Sequence, residues 1–149
     1  MGERCRISCM SFSPESYLIE LGDDVIIAEN TFLITHEGSV CVFHKESPDI
    51  DLFGKIIIGN NTFIGMNCLI LPNTTIGSNF IIGSGTVVRG KIPDNSVVIG
   101  NPGKIITSTS EYKKIIFKNP SKANLMKLFV KRRRKSYIYH REHKQLKTN

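Results

Sequence analysis

Between Ile58 and Val88 the chain repeats itself every six residues. Aliphatic side chains stand at Ile58, Ile64, Ile70, Ile76, Ile82 and Val88, and glycine follows at 59, 65, 77 and 83. A period of six matches neither the 3.6 of an α-helix nor the two of hairpin strands, and Val, Ile, Thr, Asn and Gly are together poor helix formers. The same register runs earlier through Leu21-Gly22, Ile27-Ala28 and Leu33-Ile34. Met1-Gly2 and Ile7 give a first pair before residues 8–20 lose it. Leu33 and Ile58 are 25 positions apart, a spacing that contains an insertion.

Six residues make a short strand plus a corner, and three such units close one triangular coil. The aliphatic residue points into the shared interior, and each coil pairs with the next as parallel strands. Four residues after each aliphatic come Val25, Thr31, Thr62, Cys68, Thr74 and Thr86, small or β-branched residues suited to a crowded interior, with Phe80 the exception. The corners call for positive φ, and Asp24, Asn30, Asn61, Asn67, Asn73, Asn79 and Gly85 fall at the required place.

At 149 residues the chain has the size of one domain with a short appendage. Its 40% hydrophobic and 22% charged residues suit a soluble protein. No apolar run approaches the roughly 20 residues that span a bilayer. The opening residues lack the apolar stretch of a signal peptide, so a cytoplasmic location is expected. Cys5, Cys9, Cys41 and Cys68 form no CxxC pair and read as reduced thiols. The charge is divided: residues 111–149 hold 13 Lys/Arg against Glu111 and Glu142, whereas residues 1–110 hold 7 against 11 acidic groups. The net charge of +7 belongs to the tail.

Ile58-Gly59-Asn60-Asn61-Thr62-Phe63, Ile64-Gly65-Met66-Asn67-Cys68-Leu69 and Ile70-Leu71-Pro72, followed by Ile76-Gly77, Ile82-Gly83-Ser84-Gly85 and Val97-Val98-Ile99-Gly100-Asn101-Pro102, resemble the hexapeptide-repeat acyltransferases. The likeness is to the branch of galactoside, maltose and xenobiotic O-acetyltransferases and their polysaccharide-type relatives, and it covers residues 1–106. It implies an all-β fold, a single-stranded left-handed parallel β-helix with a protruding loop and a C-terminal helical extension. It also implies a homotrimer with active sites between subunits. The expected reaction moves an acyl group, here acetyl, from acetyl-CoA (acyl-CoA) as co-substrate to a hydroxyl of a sugar or glycan precursor, with no metal.

Such a transfer needs a base for the hydroxyl proton and donors for the oxyanion. Histidine suits the first role near neutral pH, and residues 1–106 contain only His36 and His44. His36 stands where the repeat breaks off, at the junction that carries the family's catalytic histidine, so the resemblance assigns it as general base. A structural histidine at a coil corner is the alternative. Glu37 and His44 are candidates for binding the acceptor, although neighbours on a strand point to opposite faces and Glu37 can equally be an exposed loop residue. The insertion, residues 38–57, has the length of a functional loop. By resemblance it projects over a neighbouring subunit and walls the acceptor pocket; a packing arm for assembly is the plainer reading.

The donor groove also rests on resemblance. Gly65, Met66, Ser84 and Gly85 correspond to backbone lining the pantetheine arm, Arg89, Lys91 and Lys104 to the phosphate-binding side chains, and Pro102 to the border of the adenine pocket. One departure is plain: relatives often read Val-Val-x-Lys-Asp-Ile where this chain reads Val87-Val88-Arg89-Gly90-Lys91-Ile92, so Gly90 takes the usual lysine position. Phosphate requires positive charge more than one side chain, and Arg89 or Lys91 can supply it. Cys68 sits at an inward position and is a poor nucleophile, so direct transfer is expected.

Residues 107–149 read as a basic, helical extension, with Ser110 capping ahead of Glu111 and a break at Asn119-Pro120-Ser121 before a second helical stretch, Asn124 to Tyr139. Lys131-Arg132-Arg133-Arg134-Lys135 beside Leu125, Leu128 and Phe129 fits a solvated helix or contact with the inner face of a membrane. Nucleic acid is not expected, since Tyr137 and Tyr139 give little aromatic interleaving. Two other functions are open to such a coil. A zinc enzyme of the trimeric carbonic anhydrase kind needs three histidines and has two available. A non-catalytic scaffold or binding module is the alternative from another class.

Overall fold

The computed structural model describes residues 1–8 and 13–118. The expectations for Cys9 and for the second helical stretch and basic run of the tail lie outside the described residues. In chain order the strands are β1 (Arg6–Ile7), β2 (Ile19–Leu21), β3 (Ile26–Ile27), β4 (Phe32–Leu33), β5 (Ile56–Ile58), β6 (Thr62–Ile64), β7 (Leu69–Ile70), β8 (Thr74–Ile76), β9 (Phe80–Ile82), β10 (Val87–Val88), β11 (Lys91–Ile92), β12 (Ser96–Ile99) and β13 (Lys104–Ser108). One helix, α1 (Thr109–Phe117), follows.

These strands form three sheets. Sheet A has the order β1-β3-β6-β9-β12-β13, sheet B β10-β7-β4, and sheet C β11-β8-β5-β2. From β2 to β12 the chain visits C, A and B in unbroken rotation, as three six-residue units to a coil require. Every pairing is parallel except β12 with β13, which close as an antiparallel pair.

The register places the repeat's aliphatics over one another: Leu21, Ile58 and Ile76 in sheet C; Ile27, Ile64, Ile82 and Val98 in sheet A; Leu33, Ile70 and Val88 in sheet B. All are buried, as are Val25, Thr31, Thr62, Cys68, Thr74 and Thr86 at the second inward position. Each fully buried Ile or Leu contributes about 2–3 kcal/mol of transfer free energy, so the stacked aliphatics are the main source of stability. Phe80 also faces inward, and fits because its neighbours in the adjoining coils are small: Thr62 pairs with it directly and Ser96 lies on the other side. The inward hydroxyls bond to corner carbonyls, as Thr31 does to Gly65 at 2.7 Å and Thr86 to Gly83 at 2.6 Å. Burial holds the Cys68 thiol above its ordinary pKa, so this side chain is inert packing.

The three edges behave differently. At the corner between sheets C and A, Arg4, Asp24, Asn61, Asn79 and Asn95 all have φ between 52° and 59°. Asn30, Asn67 and Gly85 hold positive φ between sheets A and B. Between sheets B and C only Asn73 and Gly90 do so. All seven corner residues read from the sequence adopt this conformation, and Arg4 shows that the coil begins before the clear repeat. There the strain of a non-glycine residue is offset by a two-pronged bond to Asp24, with Nε to Oδ1 at 2.7 Å and Nη2 to Oδ2 at 2.8 Å.

Two irregularities fall on the B–C edge. Val88 to Ile92 is four residues rather than six, so Arg89 and Gly90 make a shortened corner. The insertion also leaves from this edge, between β4 and β5. It contains a 3-10 helix, Gly38–Phe43, and is tied at its root by Glu37 N–H to the Leu52 carbonyl (2.9 Å) and Gly54 N–H to the Thr35 carbonyl (2.7 Å). Because Ile56 and Ile57 already belong to β5, the insertion is shorter than its sequence bounds of 38–57. Helix α1 begins at Thr109, which puts Ser110 inside the first turn rather than ahead of the helix. Among the described residues no helix is long and apolar enough to cross a membrane.

Candidate functional site

The insertion's root assembles the first half of the site. After β4, Thr35 remains fully buried while His36 turns outward, its side chain 47% exposed. His36 pairs in an antiparallel bridge with Phe53, and their rings lie 6.1 Å apart at 51°. Gly54 passes against Pro72 and Asn73 so closely that a Cβ there would collide with the Asn73 backbone, which pins the returning strand to the corner.

Glu15 is the residue that sequence reasoning missed. Its Oε2 lies 3.3 Å from His36 Nδ1 and accepts the Thr35 hydroxyl at 3.0 Å. Partial desolvation pushes its pKa up, but hydrogen bonds from its own backbone, Thr35 and His36 outweigh this and hold it below the ordinary glutamate value. Glu15 sits in the stretch where the six-residue register disappears, so periodicity gave no signal. The one available signal was a carboxylate in a segment of the coil that broke the pattern.

Glu37 does not turn toward His36. Its Oε2 accepts from Arg89 Nη2 at 2.6 Å, joining the insertion's root to the shortened corner two coils away. His44 lies within the insertion, its Nε2 3.2 Å from the Ile50 carbonyl.

The donor candidates gather on the opposite edge of sheet B. Gly65 and Met66 lie directly under Ser84 and Gly85: the Met66 N–H donates to Ser84 Oγ at 3.2 Å and the Gly85 N–H to the Met66 carbonyl at 2.8 Å. A Cβ on Gly65 would come within 2.6 Å of the Ser84 nitrogen, so only glycine allows the coils to approach this closely. Gly85, at φ +74°, has open space where a side chain would be. The next turn continues the edge, with the Gly100 N–H donating to Thr86 Oγ1 at 3.2 Å and the Gly103 N–H to the Val87 carbonyl at 2.8 Å. Pro102 and Lys104 are exposed there. Lys91 stands apart, exposed on sheet C. Gly65, Met66, Ser84, Gly85, Pro102 and Lys104 therefore share the A–B edge, whereas His36, Glu37 and Arg89 share the B–C edge. Five residue steps, from Ser84 to Arg89, separate the two edges, on the order of 15 Å. Among the described residues no three His, Cys, Asp or Glu side chains converge as a metal site would require.

This architecture has known counterparts. Residues 55–90 match the family "Bacterial transferase hexapeptide (six repeats)". Over 122 residues the chain is 40% identical to Protein CapG of Staphylococcus aureus, covering 80% of this chain and 71% of that one. Among solved structures, a maltose O-acetyltransferase from Clostridium difficile superposes with a TM-score of 0.61 at 27% identity, over 72% of this chain and 68% of that one. A galactoside acetyltransferase in complex with coenzyme A gives 0.62 at 31% identity, over 76% and 56%. The chain belongs to the bacterial hexapeptide-repeat transferases. Within them it is an acyltransferase.

Proposed function

We propose that the chain transfers an acetyl group from acetyl-CoA to a hydroxyl of a sugar or glycan precursor, with His36 as general base. The observation that carries this reading is His36 itself: an exposed imidazole at the root of the insertion, with Nδ1 turned to a carboxylate and, among the described residues, no partner on Nε2. The acyl donor and the carbohydrate acceptor are those of the galactoside and maltose acetyltransferases that the chain is similar to.

In this mechanism His36 Nε2 removes the proton as the acceptor oxygen bonds to the thioester carbonyl carbon. The carbon–sulfur bond then breaks, and the departing thiolate takes the proton back from Nε2. The transfer is read as direct, without an acyl-enzyme; Cys68, buried with a raised pKa, is not a nucleophile for one. Gly65, Met66, Ser84 and Gly85 suit the extended arm of the donor: the close-packed corners and the open space beside Gly85 leave an edge along which it can lie. Arg89, Lys91, Lys104 and Pro102 are the candidates for its phosphates and adenine. Glu37 and His44 remain candidates beside the acceptor.

We read the coil as a left-handed β-helix and the working form as a homotrimer, with residues 1–106 as the acyltransferase unit and residues 107–149 as an extension whose basic composition suits a membrane surface. Two features support assembly. His36 and the donor edge lie on opposite sides of sheet B, so a neighbouring subunit can bring one to the other. Val42, Phe43, Leu52 and Phe53 of the insertion are exposed, as are Phe32 and Phe63 on the outer faces of sheets B and A, and such apolar surface favours a covering partner.

The test is release of free coenzyme A from acetyl-CoA across a panel of sugar acceptors, repeated with His36→Ala, with the oligomeric state followed by analytical ultracentrifugation. Turnover that is lost in the variant while the trimer persists is expected. No turnover with any acceptor, together with no binding of acetyl-CoA, would establish a scaffold instead.

A further inference from the structure

Residues 13–15 do not follow the repeat, yet they lie alongside it. The Ser13 N–H donates to the Leu33 carbonyl at 3.4 Å, and the Thr35 N–H donates to Ser13 Oγ at 3.3 Å. This adds a partial rung beyond β4, the outermost strand of sheet B, and brings Glu15 against the corner where His36 turns out. The Glu15 side chain is 19% exposed, against 47% for His36, so the carboxylate is the more enclosed member of the pair.

The protonation pattern follows from donor and acceptor inventory. An ionised carboxylate only accepts hydrogen bonds, and one oxygen, Oε2, faces both the Thr35 hydroxyl and His36 Nδ1. The hydroxyl must therefore donate, and Nδ1 must carry a hydrogen. A neutral imidazole protonated at Nδ1 has its lone pair at Nε2, the form a base requires. Thr35 is fully buried, so its hydroxyl fixes the carboxylate's position from the interior, while the Phe53 ring, 6.1 Å away, restricts rotation of the imidazole. A distance of 3.3 Å is long for a charge-assisted bond, as is common for catalytic pairs before substrate binds.

We infer that Glu15 is the positioning residue of the transferase, selecting the His36 tautomer and ring orientation that leave Nε2 free to accept the acceptor's proton. The inference rests on His36 being the general base. It assigns a task to a segment that lies outside the repeat and meets His36 through Glu15.

Four proteins separate this role from a purely structural one: wild type, Glu15→Gln, His36→Ala and the double variant. In Glu15→Gln, kcat should fall on the order of 10²-fold, less than where a fully buried aspartate is amidated beside a catalytic histidine. The KM for acetyl-CoA should stay within about twofold. The imidazole ¹⁵N spectrum should show the Nδ1–H tautomer in wild type and a mixture in Glu15→Gln, because an amide can donate to Nδ1 as well as accept from it. The double variant should be no slower than His36→Ala. Glu15→Asp, which keeps the charge on a shorter arm, should recover part of the rate, and it replaces the glutamine variant if that one fails to fold.

An unchanged kcat in folded Glu15→Gln, an unchanged ¹⁵N spectrum, or a double variant slower than His36→Ala would each overturn the assignment. If His36→Ala keeps full activity, the general-base reading falls with it. The wild-type and Glu15→Gln spectra would still show whether Glu15 sets the tautomer.

Discussion

The C–A and B–C edges belong to the same coil and are built from the same repeat, yet one is nearly uniform and the other is broken twice. On the C–A edge the polar residues of successive coils serve one another. Asp23 N–H donates to the Asn60 side chain, Asn60 N–H to Ser78 and Ser78 N–H to Asp94, while the amide of Asn61 bonds to Asn79 and that of Asn79 to Asn95. The backbone cannot complete its ladder through a corner, and these side chains carry it across. On the B–C edge the first corner is replaced by the insertion and the last is shortened to Arg89-Gly90. His36, Glu37 and Arg89 all stand on this edge, with Glu15 reaching it from outside the repeat. Polar groups that bond to the next coil are not available to a substrate, and in the proposed mechanism the chemistry enters where the repeat is interrupted.

That contrast breaks most readily at His36. His36→Ala should lower kcat about 10³-fold, equivalent to about 4 kcal/mol of transition-state stabilisation, with an unchanged melting temperature. Coenzyme A release and a thermal melt on the same preparation check both halves. Residual activity within tenfold of wild type would mean that the interrupted edge does not house the base.

The uniform edge should respond in the opposite sense. Asn79→Ala removes an amide that tolerates φ 54° and bonds to Asn61 and Asn95 in the adjoining coils, at 2.9 and 3.2 Å. Stability should fall by about 2 kcal/mol in denaturant titration, most of it from holding alanine in the left-handed region, with kcat within twofold of wild type. A kcat loss comparable with that of His36→Ala would erase the distinction between the two edges.

The same division governs what could be read from the sequence. The stacked aliphatics, the inward Thr and Cys positions and the seven positive-φ corners were legible because they obey a period, and a period is a local property. The broken edge was legible only as an absence. His36 stood out because it marks the point where the register fails and because the resemblance placed a base there. Glu15 and the partners of Glu37 were not legible, because they depend on which non-repeating segments fold back against which coil. The separation of 52 positions between Glu37 and Arg89 carries no local signal at all.

The bridge from Glu37 to Arg89 offers a finer comparison. Both side chains are partly exposed, at 31% and 59%, so Glu37→Gln should cost less than about 1 kcal/mol of stability. The same change frees Arg89, and if that guanidinium reaches the donor's phosphates, the KM for acetyl-CoA should shift by a few-fold while Arg89→Ala raises it. If neither variant moves KM, Arg89 serves only as a brace for the insertion.

The smallest effect belongs to Arg4 and Asp24, at the start of the uniform edge. The hydrogen bond from Arg4 holds the Asp24 carboxyl below its ordinary value, against the opposing effect of desolvation, and the guanidinium charge adds to the lowering. A carboxyl whose pKa is depressed by folding stabilises the protein above its unfolded-state pKa, and that contribution disappears as pH falls through the folded value. Asp24→Asn keeps a residue that accepts positive φ and removes only the charge. Its melting temperature should lie slightly below wild type at pH 7, and the gap should close as the pH drops below the ordinary aspartate value of 3.8. A gap that is the same at pH 7 and at pH 3 would show that the corner is held by its backbone alone. The uniform edge would then owe nothing to charge, and titrating groups would matter only where the repeat is broken.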